Sequence, residues 1–170
     1  MIQRLNVHDK KKHIAILDFI KINSDADFYL TENNDRIYIQ DLISLKKLFK
    51  SSRDVYVFKD AGEYKAFCLL WKSVDGEKTR YYIKLLAIDI KAASDLLRGF
   101  LWHIYNTEIF VKINKYHKFL DVFKKYGFKF IGGRGKQVLL KRDRFIKEKG
   151  YVYIKEQENV SNFNFNNDSR

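Results

Sequence analysis

Between Val55 and Asp89 the chain reads as three consecutive strands separated by tight turns, and this stretch constrains the fold more than any other. VYVFK runs through DAGEY, with Gly62 in the turn, into KAFCLLWK. SVDGEKT then supplies an Asp-Gly turn before the long, mostly apolar TRYYIKLLAID. Length and the density of β-branched and aromatic residues favour strands over helices here, so an antiparallel run of three is expected.

The flanks follow a different period. MIQRLNV alternates as a first strand, and Asp9 can cap a helix whose apolar face is Ile14, Leu17, Phe19 and Ile20. Asp41 opens a second helix, DLISLKKLFK, with Leu42, Leu45, Leu48 and Phe49 at helical spacing. After the polar NSDAD, between these helices, the chain is ambiguous, with a short IYI run at residues 37 to 39. Past the central strands, KAASDLLRGFLWHIYN places Leu96, Leu97, Phe100, Leu101 and Ile104 on one helical face. EIFVKI is a strand, and YHKFLDVFKKYG is a helix with Phe119, Leu120, Phe123 and Tyr126 inward and Gly127 at its end. FKFI and KQVLLKR form two last strands around three glycines, and GYVYIKE offers one more. No repeat or linker divides the chain. One domain over residues 1–155 and a polar, asparagine-rich tail over residues 156–170 are expected.

Composition narrows the function classes. One cysteine, Cys68 in the apolar AFCLLW, excludes an internal disulfide and a multi-cysteine zinc cluster. No segment approaches the roughly 18 consecutive apolar residues of a membrane span, so a soluble cytoplasmic protein without a membrane partner is expected. Thirty-three Lys and Arg against 21 Asp and Glu give +12, which favours an anionic partner such as nucleic acid or a phosphorylated cofactor. The histidines show no metal spacing, and no P-loop or serine triad stands out, so no metal is expected.

The element order resembles that of the GNAT family of acyl-coenzyme A-dependent acyltransferases over about residues 1–142. FLDVFKKYGF is similar to the family helix A-x-x-x-Y-x-K-x-G-F, matching at Phe119, Phe123, Lys125, Gly127 and Phe128. LLAIDI, residues 85 to 90, is similar to the central strand ending L-x-V-D-P. The resemblance implies an α/β (α+β) fold, a mixed and mostly antiparallel central sheet flanked by helices, with two central strands splayed apart. It also implies an enzyme that moves an acetyl or other acyl group from acetyl-CoA (acyl-CoA) to an amine. The pantetheine arm would pair with backbone groups near Leu86, Ala87 and Ile88. A helix start would hold the pyrophosphate, where free amides and the helix dipole favour an anion.

The sequence departs from the family at the points that carry chemistry. The loop Q/R-x-x-G-x-G/A is missing, since Ala93, Leu96 and Arg98 stand at its positions. Lys91, Ser94 as an N-cap, and Arg98 are the substitutes for an anion site. Phe123 replaces the tyrosine that usually protonates the leaving thiolate. Tyr116 and His117 at the helix entrance, and Tyr81 or Tyr82 in the central strand, are the alternative catalytic candidates. Adjacent strand residues point oppositely, so one of the two tyrosines faces the cleft. In the glycine turn, Arg134, Lys136 and Gln137 would stand over an anionic acceptor such as nucleic acid. A protein amine is the other acceptor class. The competing reading is a GNAT-fold module without catalysis that binds nucleic acid or a protein partner. The oligomeric state is left open.

Overall fold

The computed structural model describes residues 1–144. The GYVYIKE strand, the tail over residues 156–170 and the domain boundary at 155 lie outside the described residues. In chain order the first elements are β1 (Ile2–Arg4), α1 (His13–Asn23), β2 (Tyr29–Glu32), β3 (Asp35–Tyr38) and α2 (Leu42–Lys50). The centre holds β4 (Ser52–Asp60), β5 (Glu63–Asp75), β6 (Lys78–Ala87) and α3 (Ile90–His103). The chain continues through β7 (Ile109–Asn114), α4 (Leu120–Lys125), β8 (Lys129–Arg134) and β9 (Gln137–Arg142). Seven strands form one sheet in the order β1-β4-β5-β6-β7-β9-β8, mixed and mostly antiparallel. β6 and β7 are its parallel pair. The three central strands form the expected antiparallel run, with β5 paired to β6 from Ala66–Ala87 to Asp75–Lys78.

Helices cover both faces of this sheet. On one face, Leu96, Leu97 and Phe100 of α3 and Phe123 of α4 pack against Leu70, Ile83 and Leu85. On the other, Ile16 and Ile20 of α1 and Leu45 and Leu48 of α2 pack against Val57, Phe67, Leu69 and Leu86. Alternation along β6 assigns Ile83 and Leu85 to the first core and Leu86 to the second. Each such buried aliphatic or aromatic side chain contributes about 1.5–3 kcal/mol. Cys68 is fully buried in the first core, and burial pushes its thiol well above its ordinary range.

Three local expectations change. A short 3-10 turn at Lys10–Lys12 precedes α1, and Asp9 caps that turn through Lys11 N–H. The helix therefore begins at His13 and buries His13, Ile16, Phe19 and Ile20, leaving Ile14 64% exposed. The ambiguous stretch folds as the β2–β3 hairpin, a two-stranded sheet of its own, turning at Asn33 and Asn34 with φ of 50° and 68°. Asparagine tolerates this left-handed pair better than other side-chain-bearing residues, which suits a type I′ turn. Finally, α3 starts at Ile90 and is capped by Asp89, whose carboxylate accepts Ala92 N–H at 2.7 Å. Ser94 lies inside the helix and caps nothing.

The glycines of the last hairpin do two jobs. Gly135, with φ of 62°, and Lys136 make the two-residue turn between Arg134 and Gln137. Gly133 serves close approach, because a Cβ there would lie 2.5 Å from the Gln137 carbonyl oxygen and 3.1 Å from Val138 Cα. Gly133→Ala should therefore force these strands apart and cost about 1–3 kcal/mol, read as a lowered melting temperature. A variant as stable as the wild type would contradict that reading.

Candidate active site

The parallel strands β6 and β7 share one paired position, Tyr82 with Phe110, and diverge beyond it. The register fixes what faces the gap. In an antiparallel ladder, alternate residues turn both backbone groups to the same neighbour. Ile88 N–H donates to Lys65 C=O at 3.0 Å, so Leu86 and Lys84 likewise face β5. Leu85 and Ala87 turn theirs toward β7, which does not pair with them. Of the three backbone positions expected to face the gap, Ala87 does so, whereas Leu86 and Ile88 are committed to β5. Leu85 takes their place.

A cavity of about 230 Å³ occupies the divergence. Tyr82 and Lys84 line it from one side of β6, Ile83 and Leu85 from the other, with Val111 and Ile113 across the gap. Contributions of both strand parities mean that the opening runs between the strands and through the sheet. Phe123 of α4, 1% exposed, also lines it. Its edge meets Phe128 in a T-shaped pair at 5.3 Å.

The cavity wall on the α1 side is polar. Asp25 and Asp27 come from the turn after α1, where Asp25 Oδ1 accepts Asp27 N–H at 2.9 Å. His117 Nε2 lies 2.6 Å from Asp25 Oδ2, and His117 Nδ1 accepts Phe119 N–H at 3.1 Å. That backbone donor fixes the tautomer: the ring proton sits on Nε2 and is donated to Asp25. Both nitrogens are thus committed, and His117 positions Asp25 instead of taking a substrate proton. Burial works to raise the Asp25 carboxyl, but the bonds from His117 and Asp27 N–H outweigh it and hold its pKa below the ordinary value. Asp27 is fixed across 87 and 110 residues of sequence, accepting Asn114 N–H at 3.0 Å and Gln137 Nε2–H at 3.1 Å.

Two lysines line the cavity, the exposed Lys112 and, deeper on β6, Lys84. Its ammonium lies 5.0 Å from the Tyr29 ring and 5.0 Å from the Trp71 ring. Burial lowers its pKa from 10.5 to about 8, Asp27 opposing and Lys112 assisting. The unfolded chain therefore holds a proton between about pH 8 and 10.5 that the folded chain has released, and stability rises with pH across that window. Lys84→Met should remove this rise, roughly 3 kcal/mol in total, and be the more stable protein at pH 7. Parallel denaturant titrations of the two proteins from pH 7 to 10.5 check it; identical slopes would show that Lys84 titrates normally.

The remaining expected residues lie elsewhere. Tyr116 is 75% exposed beyond the cavity, under the Lys115 ammonium. Tyr81 turns to the opposite face of β6 from Tyr82, with Arg53 5.2 Å from its ring. Neither is placed to exchange a proton in the cavity. Ser94 Oγ is 2.8 Å from Tyr126 Oη, and Asp95 engages Lys91 at 3.0 Å and Arg98 at 3.8 Å. Only Ile88 and Asp89 connect β6 to α3, and the capping Asp89 carboxylate already occupies the helix start, so the expected anion cradle is not built there. Arg134 and Lys136 are exposed on the hairpin turn, whereas Gln137 reaches the site through Asp27. Among the described residues, Asp25, Asp27 and His117 bring ligand-type atoms within 4.8 Å of one another. A divalent cation there would have to displace the Nε2 proton that now bonds Asp25.

In sequence NSDAD reads only as a polar stretch, and no motif picks out Lys84. One signal was available: a lone lysine inside the apolar YYIKLLA, where a central strand should carry none.

No protein-family model and no curated sequence matches this chain. Solved structures do match. The ribosomal-protein-alanine N-acetyltransferase from Brucella melitensis superposes with a TM-score of 0.65 at 10% identity, covering 84% of this chain and 99% of its own. A GNAT-family acetyltransferase from Streptococcus pneumoniae gives 0.60 at 10% identity, with 84% and 97% covered. YncA from Salmonella typhimurium, solved with its cofactor acetyl-CoA, gives 0.59 at 12% identity, with 84% and 92% covered. The chain has the fold of the GNAT acetyltransferases.

Proposed function

We propose that this GNAT-fold chain is an acyltransferase that carries an acetyl or similar acyl group from a pantetheine thioester, acetyl-CoA in the simplest case, to an amine. The divergence of β6 and β7 after Tyr82–Phe110 carries this reading. A thin, extended amide chain fits such a gap, pairing with Leu85 and Ala87 as an added strand would. The likeness in fold to a protein solved with acetyl-CoA supports it.

The acceptor enters from the polar wall. Asp25 and Asp27 favour a protonated amine at the cavity mouth, and Asp27, held by Gln137 and Asn114, is the better placed to receive its proton. Around the same end stand the exposed Lys112, Lys115, Lys118, Arg134 and Lys136. An amine borne on an anionic body, a nucleic acid or nucleotide, satisfies both features, and its affinity should fall steeply with salt.

The absent phosphate loop makes the donor site testable. Calorimetry should show S-acetyl-pantetheine binding within about tenfold of acetyl-CoA, because the nucleotide half lacks a built cradle. Acetyl-CoA binding far more tightly would locate a phosphate site on other residues. If neither donor binds while nucleic acid does, the chain is a binding module and the transferase reading fails.

A further inference from the structure

The cavity contains an amine of its own. Lys84 is the cationic side chain of β6 that lines the gap, one residue from the Leu85 backbone groups against which the donor would lie. Among the described residues it makes no ion pair or hydrogen bond with a carboxylate, and the rings of Tyr29 and Trp71, each 5.0 Å away, hold it in place. An ammonium needed only to balance Asp25 and Asp27 would touch one of them. This one stands clear of both, beside an apolar slot.

Resting on the transferase reading above, we infer that Lys84 is a self-acylation site, modified by the thioester donor bound in the same cavity. The neutral Nζ attacks the thioester carbonyl carbon, forming a C–N bond as the C–S bond breaks. Sulfur leaves as the thiolate and takes up the proton that nitrogen sheds, giving an amide and a free thiol. No further reactant is required. Burial supplies the neutral amine near physiological pH, since it brings Lys84 to about 8. The titratable groups facing it are Asp27 and Asp25 from the turn after α1, Lys112 from β7 and His117 before α4. Acyl-Lys84 is uncharged and bulkier, so it fills the space where an acceptor amine would sit and makes the modification self-limiting.

The test incubates the full chain with acetyl-CoA, and separately with S-acetyl-pantetheine, while peptide mass mapping follows every lysine. Donor binding is measured alongside by calorimetry. The expected result is one acetyl group on Lys84 ahead of all exposed lysines, suppressed there alone by unacylated CoA. Its rate should fall about tenfold per pH unit below about 8, as the neutral fraction falls. Lys84→Arg should fold with a cooperative thermal melt and lose this product; Lys84→Gln, a second variant, guards against misfolding of the first. If the donor binds and Lys84 is acetylated no faster than surface lysines, the inference is overturned and the transferase reading stands. Failure of both donors to bind overturns the two together.

Discussion

Phe123→Tyr should raise turnover on the order of tenfold to a hundredfold, with little change in donor affinity. Phe123 holds the position at which the similar GNAT helix carries its tyrosine, and its ring lines the cavity. Carbon cannot donate a proton, so in the proposed transfer the thiolate would leave unassisted or draw on Tyr82, which also lines the cavity. A phenol at residue 123 would supply that proton at the instant the C–S bond breaks. This effect belongs to kcat, because the thiolate exists only in the transition state and product. Thiol release from acetyl-CoA, with methylamine as a simple acceptor, measures it. An unchanged kcat would mean that sulfur is already protonated by another group, and Tyr82→Phe would then be the variant that slows turnover.

Filling the gap should have the opposite and larger consequence. Val111 follows the paired Phe110 on the β7 side of the gap, buried at 3% exposure beside the cavity. Val111→Phe extends a ring into that space, where the pantetheine amides would otherwise meet the Leu85 and Ala87 backbone. Donor affinity should fall at least about a hundredfold, since the ring removes hydrogen bonds and volume together. Folding should suffer less, by about 1–3 kcal/mol, because the cavity accepts what a packed core would not. Calorimetry paired with thermal melting separates the two. A variant that still binds acetyl-CoA normally would place the donor outside the divergence, and the proposed chemistry would go with it.

How much of this was legible depends on the range of the interactions involved. The β4–β5 and β5–β6 hairpins announce themselves because turn residues and alternation are local signals, and Gly62 sits where its left-handed φ of 83° requires. The α3 start differs from the expected one although Asp89 was available as a cap, because Ser94 offers a rival cap five residues later. The site itself is non-local. His117 meets Asp25 across 92 residues, and Gln137 meets Asp27 across 110. Nothing within NSDAD distinguishes two aspartates that are gathered into a cleft from two left in water. Likewise the choice of Leu85 over Leu86 as a backbone partner depends on one hydrogen bond, Ile88 to Lys65, whose parity no composition encodes.

The β2–β3 hairpin shares no backbone ladder with the seven-stranded sheet, yet Tyr29 at its base forms part of the cavity wall. Asp25 and Asp27 are tethered to β7, β9 and His117 by side-chain bonds, and Leu30 and Ile39 anchor the hairpin in the core, so its backbone stays put. The Tyr29 ring can still turn by giving up its contacts with Tyr38 and Arg36. The breadth of amines admitted by the proposed transferase would then be set by one aromatic side chain, independently of the strands that flank the donor.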